Sequence, residues 1–150
     1  MTFVANSMVP ELWCRDFAES LRFYTETLGF SVGQHKPGSR HAYVALGASQ
    51  LMITSFEQDG TWETGDLEPP FGRGINFSIR VGDCRALYED LTSKGVVPFV
   101  DFYTIWYWRP GRMEQFAEFA VQDPDGYLLR FSQSIGSRDE CPEDPDFALD

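Results

Sequence analysis

The chain has 150 residues, 43% of them hydrophobic and 23% charged, enough for one domain whose core needs no disulfide or metal staple. Its formal net charge of −11 repels phosphate backbones, which disfavours nucleic acid and favours cations, small organic cations included. The cysteines Cys14, Cys84 and Cys141 are odd in number and form no C-x-x-C pair, there is no basic, apolar leader, and no apolar run approaches the ~20 residues of a membrane helix. These features read as a soluble protein of the reducing cytoplasm, with no membrane partner.

The first element in chain order is a strand over residues 9–15. Asp16 ends it and N-caps a helix, with Glu19 at the third helical position as its capping-box partner. Phe17, Leu21, Tyr24 and Leu28 form an apolar stripe at helical spacing, and Gly29 supplies the left-handed stop. A strand over 30–35, a turn at Lys36-Pro37-Gly38-Ser39, and strands over 41–46 and 51–56 around Gly47 complete the first half. Residues 57–72 break the pattern with Gly, Pro and the acids Glu57, Asp59, Glu63, Asp66 and Glu68, as an acidic linker does. Trp62 and Phe71 within it read as anchors or as rim residues of a pocket.

The order then restarts. A strand over 75–81 precedes Asp83, which caps a helix whose apolar face runs through Leu87 and Leu91 to a stop at Gly95. Asp83 lies 67 residues after Asp16, and the strand–Asp–helix–Gly order recurs at that offset, so the chain is an internal repeat. Extended chain over 96–108, interrupted by Pro98, leads to a turn at Arg109-Pro110-Gly111-Arg112 and a strand over 113–122. In Asp123-Pro124-Asp125-Gly126, Pro presets φ, Gly accepts a positive φ and Asp bonds its own backbone, so a tight turn joins that strand to the next, over 127–132. From Ser134 the chain is polar and acidic, as an unpacked tail would be. The expected division is a first module over 1–56, the linker over 57–72, a second module over 73–133 and a flexible tail over 134–150.

Alternation along 75–83 sets Phe77, Ile79 and Val81 against the second helix and Asn76, Ser78 and Arg80 on the opposite face. By the repeat, Leu12 and Cys14 pack under the first helix while Val9, Glu11 and Trp13 face the open side. Aromatic residues crowd the stretch from Phe99 to Trp108, with Phe116 and Phe119 on the following strand, which suits a core and subunit interface or a stacking cleft. The chain has no G-x-S-x-G, no Walker loop and no G-x-G-x-x-G opening a helix, and Cys14 and Cys84 read as packed residues, so no catalytic residue is assigned.

The opening V-P-E-L-W-C-R-D-F-A-E-S-L-R-F-Y-T-E-T-L-G-F and the close E-F-A-V-Q-D-P-D-G-Y-L-L-R-F-S-Q resemble the vicinal-oxygen-chelate superfamily, which includes glyoxalases, extradiol dioxygenases and fosfomycin- and bleomycin-resistance proteins. The resemblance covers Met8 to Gln133 and is strongest to the bleomycin-resistance type. It implies an α+β fold of two βαβββ modules, each a curled mixed sheet with one helix on its back, in a homodimer that protects open sheet edges. In the metal-dependent members a Glu four residues after the turn glycine is a ligand, and Arg130 stands there. The positions seven residues before each capping Asp hold Val9 and Asn76, and the strand before the linker offers Leu51-Met52-Ile53-Thr54. None is a useful ligand for a divalent catalytic metal, and a guanidinium repels one, so no metal and no cofactor are expected. His35 and His41 flank one hairpin outside this pattern, and Glu11 and Glu118 are stray acids near the cleft.

Bleomycin-resistance proteins are metal-free dimers that sequester a cationic glycopeptide drug in hydrophobic interface clefts, and the resemblance implies the same service for a cationic or amphipathic drug-like molecule. The expected ligand-binding residues are Glu11, Trp13, Asn76, Arg80, Trp106, Trp108, Phe116 and Arg130. The sequence departs from the drug-binding members where Met113-Glu114-Gln115-Phe116 lacks their Trp-Gly pair, with Trp106 and Trp108 as nearby substitutes. The alternative functions are a glyoxalase-type lyase or isomerase or a dioxygenase-related enzyme, and a sensor or scaffold domain whose cleft has lost all ligands, which a dimer with its cleft filled by its own side chains would favour.

Overall fold

The computed structural model describes residues 3–55 and 62–139, so part of the expected linker and the tail beyond Asp139 lie outside the described residues. Two compact units divide the chain: Met1–Asn76 with Gln122–Leu128, and Phe77–Val121 with Leu129–Asp150. Each half of the sequence contributes one four-stranded sheet and one helix. The first sheet holds β1 (Glu11–Cys14), β2 (Ser31–His35), β3 (His41–Leu46) and β4 (Ser49–Ser55) in the order β1-β4-β3-β2. The second holds β5 (Asn76–Arg80), β6 (Val100–Arg109), β7 (Arg112–Gln122) and β8 (Leu128–Arg138) in the order β5-β8-β7-β6. β1 runs parallel to β4 while β3 pairs antiparallel with both β4 and β2, which makes the sheet mixed. The repeat is therefore two βαβββ modules, an α+β fold as expected.

Asp16 caps α1 (Phe17–Arg22) by accepting from the Glu19 amide at 3.0 Å, and the helix widens into a π turn over Phe23–Thr27. Its buried row is Ser20, Tyr24 and Leu28, whereas Phe17 and Leu21 of the predicted stripe stay partly exposed. A buried serine is invisible to a reading of apolar spacing; it is buried because its hydroxyl has a partner, Asp125, at 3.2 Å. Asp83 caps α2 (Cys84–Ser93) through the Ala86 amide at 2.9 Å. Gln133 of β8 adds a second clamp there, accepting from the Cys84 amide and donating to the Gly82 carbonyl.

Alternation sorts each sheet into a core face and an open face. Leu12, Cys14, Ala42, Val44, Leu51 and Ile53 are buried on the first. In the second, Phe119 stacks on Phe131 at 5.2 Å and meets Tyr88 of α2 edge-on at 5.3 Å. Burial pushes the thiols of Cys14 and Cys84 up to about 11, so both remain protonated packing residues at neutral pH. β8 continues to Arg138, past the expected strand end at 132. The extension is polar, but Ser134 donates to Glu114 of β7 at 2.9 Å and Arg138 covers the Trp106 ring at 4.5 Å.

The Asp123–Gly126 turn does more than join two strands: it clasps the first unit from within. The Asp123 carboxylate accepts from the amides of Asp125 and Tyr127 at 3.0 and 2.8 Å and from the Tyr24 hydroxyl at 2.9 Å. Asp125 accepts from the Arg15 amide and guanidinium at 3.1 and 2.8 Å, and the Phe71 amide donates to its carbonyl at 2.8 Å. Gly126 has φ of 97°, and a Cβ there would lie 2.4 Å from that of Pro70, so no other residue fits.

Burial pushes the Asp123 carboxyl up to about 6, against an ordinary value of 3.8, despite the opposing pull of its hydrogen bonds. A raised carboxyl favours folding in its protonated form. Its contribution is full below pH 3.8 and is lost as pH rises through about 6. Asp123→Asn keeps an acceptor for the two amides and offers its NH2 to the Tyr24 oxygen, while removing the titration. Relative to the variant, the wild type is expected to lose about 2–3 kcal/mol between pH 4 and 7 in urea unfolding. Parallel stability–pH curves for the two proteins would contradict this assignment.

Candidate functional site

The even-numbered residues of β7 face away from α2, since Phe119 is the residue that meets Tyr88. On that open face of the second unit lies a pocket of about 240 Å³. β5 contributes Ser78 and Arg80, β6 Tyr107 and Arg109, β7 Phe116 and Glu118, and β8 Arg130 and Ser132. Each strand thus supplies two residues at alternating positions, as period-two geometry requires.

Charge in the pocket is arranged around one carboxylate. Glu118 is 3% exposed and accepts from the hydroxyls of Tyr103 and Tyr107 at 2.5 and 3.0 Å. The Arg130 guanidinium lies 3.8 Å from the same oxygen, and its buried Nε–H has no hydrogen-bond partner among the described residues. Arg80 stacks over the Phe116 ring at 4.9 Å, and Arg109 sits 5.8 Å from that ring and 3.5 Å from Glu114. Burial, and then Glu118, raises the pKa of both Tyr103 and Tyr107, so they remain phenols that donate.

The open face of the first unit holds a smaller polar cluster. The Thr54 hydroxyl donates to Glu11 at 2.7 Å and sits 2.7 Å from His41 Nδ1. With its single proton committed to Glu11, Thr54 accepts from His41, which assigns the proton to Nδ1. The parallel register Trp13↔Thr54 and the antiparallel register His41↔Thr54 build this cluster, a nonlocal pairing that set His41 apart from Glu11 in the sequence. A crevice of about 330 Å³ between Arg15, Phe17, Arg40 and Ser55 is roomier than the pocket. Two of its charged side chains are already engaged: Arg15 holds Asp125, and Asp16 caps α1.

Of the expected binding residues, Arg80, Phe116 and Arg130 meet in the pocket. Glu11 and Trp13 belong to the first unit's open face, and Asn76 is an exposed residue at the start of β5. Trp106 and Trp108 pair with Gln115 and Met113, on the face of β7 that carries Phe119, so they point away from the pocket. Tyr103, Tyr107, Arg109 and the serines were not singled out from the sequence as binding residues. Alternation from Arg130 finds Ser132, and from Arg80 finds Ser78, whereas Tyr103, Tyr107 and Arg109 follow from the β6–β7 register, which sets Tyr103 opposite Glu118 and Tyr107 opposite Glu114.

The sequence model of the Glyoxalase/Bleomycin resistance protein/Dioxygenase superfamily matches residues 6–131. The chain belongs to this superfamily. A bleomycin resistance protein from Geobacillus stearothermophilus is 27% identical over 139 residues, spanning 86% of this chain and 97% of that protein. The virulence protein STM3117 from Salmonella typhimurium superposes with a TM-score of 0.62 at 19% identity, over 88% of this chain and 99% of that one. TioX from Micromonospora sp. ML1 gives 0.62 at 18% identity, over 87% and 98%. These two structures establish the shared superfamily fold.

Metal-dependent superfamily members require converging carboxylates, imidazoles or thiolates. Arg130, at the place of the ligand Glu, is a permanent cation beside Glu118, the one carboxylate that lines the pocket. Val9 and Asn76 supply neither an acid nor an imidazole at two further ligand positions, and among the described residues no three His, Cys, Asp or Glu side chains cluster. This donor set does not fit a divalent ion.

Proposed function

We propose that this protein is a binding protein that holds a small amphipathic, drug-like molecule in the pocket of its second unit and releases it chemically unchanged. The observation that supports the reading is the Arg130–Glu118 pair, a permanent cation beside the pocket's carboxylate, among walls of arginine, tyrosine and phenylalanine. Guanidinium and phenyl groups suit reversible recognition of planar molecules, through stacking and forked hydrogen bonds. The curated relatives are named for resistance to bleomycin, which supports protection by retention of a drug-like compound as the biological role. In this reading the protein is a cytoplasmic homodimer, a second copy covering exposed apolar residues such as Val97 and Phe99 beside β6.

A calorimetric titration tests the reading, using chelator-treated protein and a panel of bleomycin with aromatic acids, amines and neutral amphiphiles. At least one compound is expected to bind in the micromolar range and to be recovered with unchanged mass, and Arg80→Ala to weaken it. The glyoxalase-type alternative predicts metal-dependent turnover of the methylglyoxal–glutathione adduct instead. Such turnover, or a panel without a single binder, would overturn the proposal.

A further inference from the structure

The whole-chain charge of −11 attracts cations at long range, but the walls of the pocket have the opposite sign. Three guanidiniums line it against one carboxylate. That carboxylate is already answered: two phenolic hydroxyls donate to Glu118, and Arg130 lies 3.8 Å from it. Arg109 is 3.5 Å from Glu114, which also accepts from Ser134. Among the described residues Arg80 has no carboxylate within ion-pair distance. It is held over the Phe116 ring at 4.9 Å, which supports the guanidinium by its face and frees its N–H edge.

Resting on the binding reading above, we propose that the pocket receives an oxyanion head group, a carboxylate or a phosphoryl, carried on an aromatic or other planar body. Arg80 supplies the forked contact, the partly exposed guanidinium of Arg130 a second donor, and Ser78 and Ser132 neutral hydroxyls on the same wall. Phe116 backs the planar body through its edge. A volume of about 240 Å³ is below the ~300–1,000 Å³ of pockets that enclose whole drug-sized ligands, so it takes the head group while the rest of the molecule stays outside. The ligand is therefore an acid, although the net charge of the chain argues for a base.

Calorimetry with benzoate, phenyl phosphate and benzylammonium on the full chain tests this. At least one of the two anions is expected to bind and benzylammonium not to. Whichever of benzoate and phenyl phosphate binds more tightly identifies the head group as a carboxylate or a phosphoryl. Arg80→Ala, at an exposed position, should weaken the anion by about tenfold, and rising salt should weaken it further. Glu118→Gln, which removes the competing negative charge, should leave anion affinity equal or higher. Preferential binding of benzylammonium that Glu118→Gln abolishes would overturn the inference while sparing the binding reading. Anion binding untouched by Arg80→Ala would overturn it too, and silence of all three probes, with the wider panel also silent, would remove both.

Discussion

Asp125→Ala is expected to destabilise the protein by about 2–4 kcal/mol, because a buried hydroxyl and a backbone amide lose their acceptor while the exposed Arg15 guanidinium returns to water. Asp125 is 2% exposed, and its carboxylate accepts three hydrogen bonds, from the Arg15 amide, the Arg15 Nε–H and the Ser20 hydroxyl. Alanine leaves the buried Ser20 hydroxyl and the Arg15 amide without their acceptor and removes the anion that the guanidinium faces. Against a typical total of about 5–15 kcal/mol, such a loss is a large fraction of the stability. In a chain of this size it lowers Tm by about 10 °C. Asp125→Asn keeps an acceptor for Arg15 and can donate to Ser20, so it should cost about 1–2 kcal/mol. Urea unfolding of the two variants checks the order, and a loss below about 1 kcal/mol for alanine would show that the turn is not the clasp described.

Glu118→Ala should be as costly, at about 3 kcal/mol, because it leaves two phenols and one guanidinium around a vacated acceptor. Arg130→Met in the same chain should restore part of that loss, since it removes the guanidinium that has lost its counter-charge. The tyrosines give an independent readout. Glu118 contributes to the raised pKa of both Tyr103 and Tyr107, after burial, so in the variant both should ionise at lower pH than in the wild type, though burial still holds them up. Unchanged tyrosine titration with unchanged stability would mean that Glu118 is not the centre of the pocket.

Much of this architecture is written in local signals. Asp16 with Gly29 and Asp83 with Gly95 mark the two helices because caps act on the nearest amides and carbonyls. Alternation placed Leu12 and Cys14 on a core face and Ser78 and Arg80 on an open one. What escaped the sequence depends on pairing between distant strands. The faces of Trp106 and Trp108 follow from the Arg109↔Arg112 register set by the Pro110–Gly111 turn, and that register turns both rings away from Phe116. His41 reaches Glu11 through Thr54 because β1 and β3 flank β4, a neighbourhood that spacing along the chain does not show. Polarity misled the reading of residues 134–138 in the same way, since Ser134 and Arg138 are strand residues with partners on β7 and β6. Arg130 was legible as a residue out of place for metal chemistry; its partner Glu118 needed the sheet.

The most direct test of the account is a single titration run twice. The tightest compound from the panel is titrated into wild-type protein after exhaustive chelation, then again with added zinc or manganese, and the compound is recovered for mass spectrometry. The same affinity and stoichiometry are expected in both runs, with a compound of unaltered mass. Binding that appears only with the metal, or a recovered compound of changed mass, would contradict the binding reading.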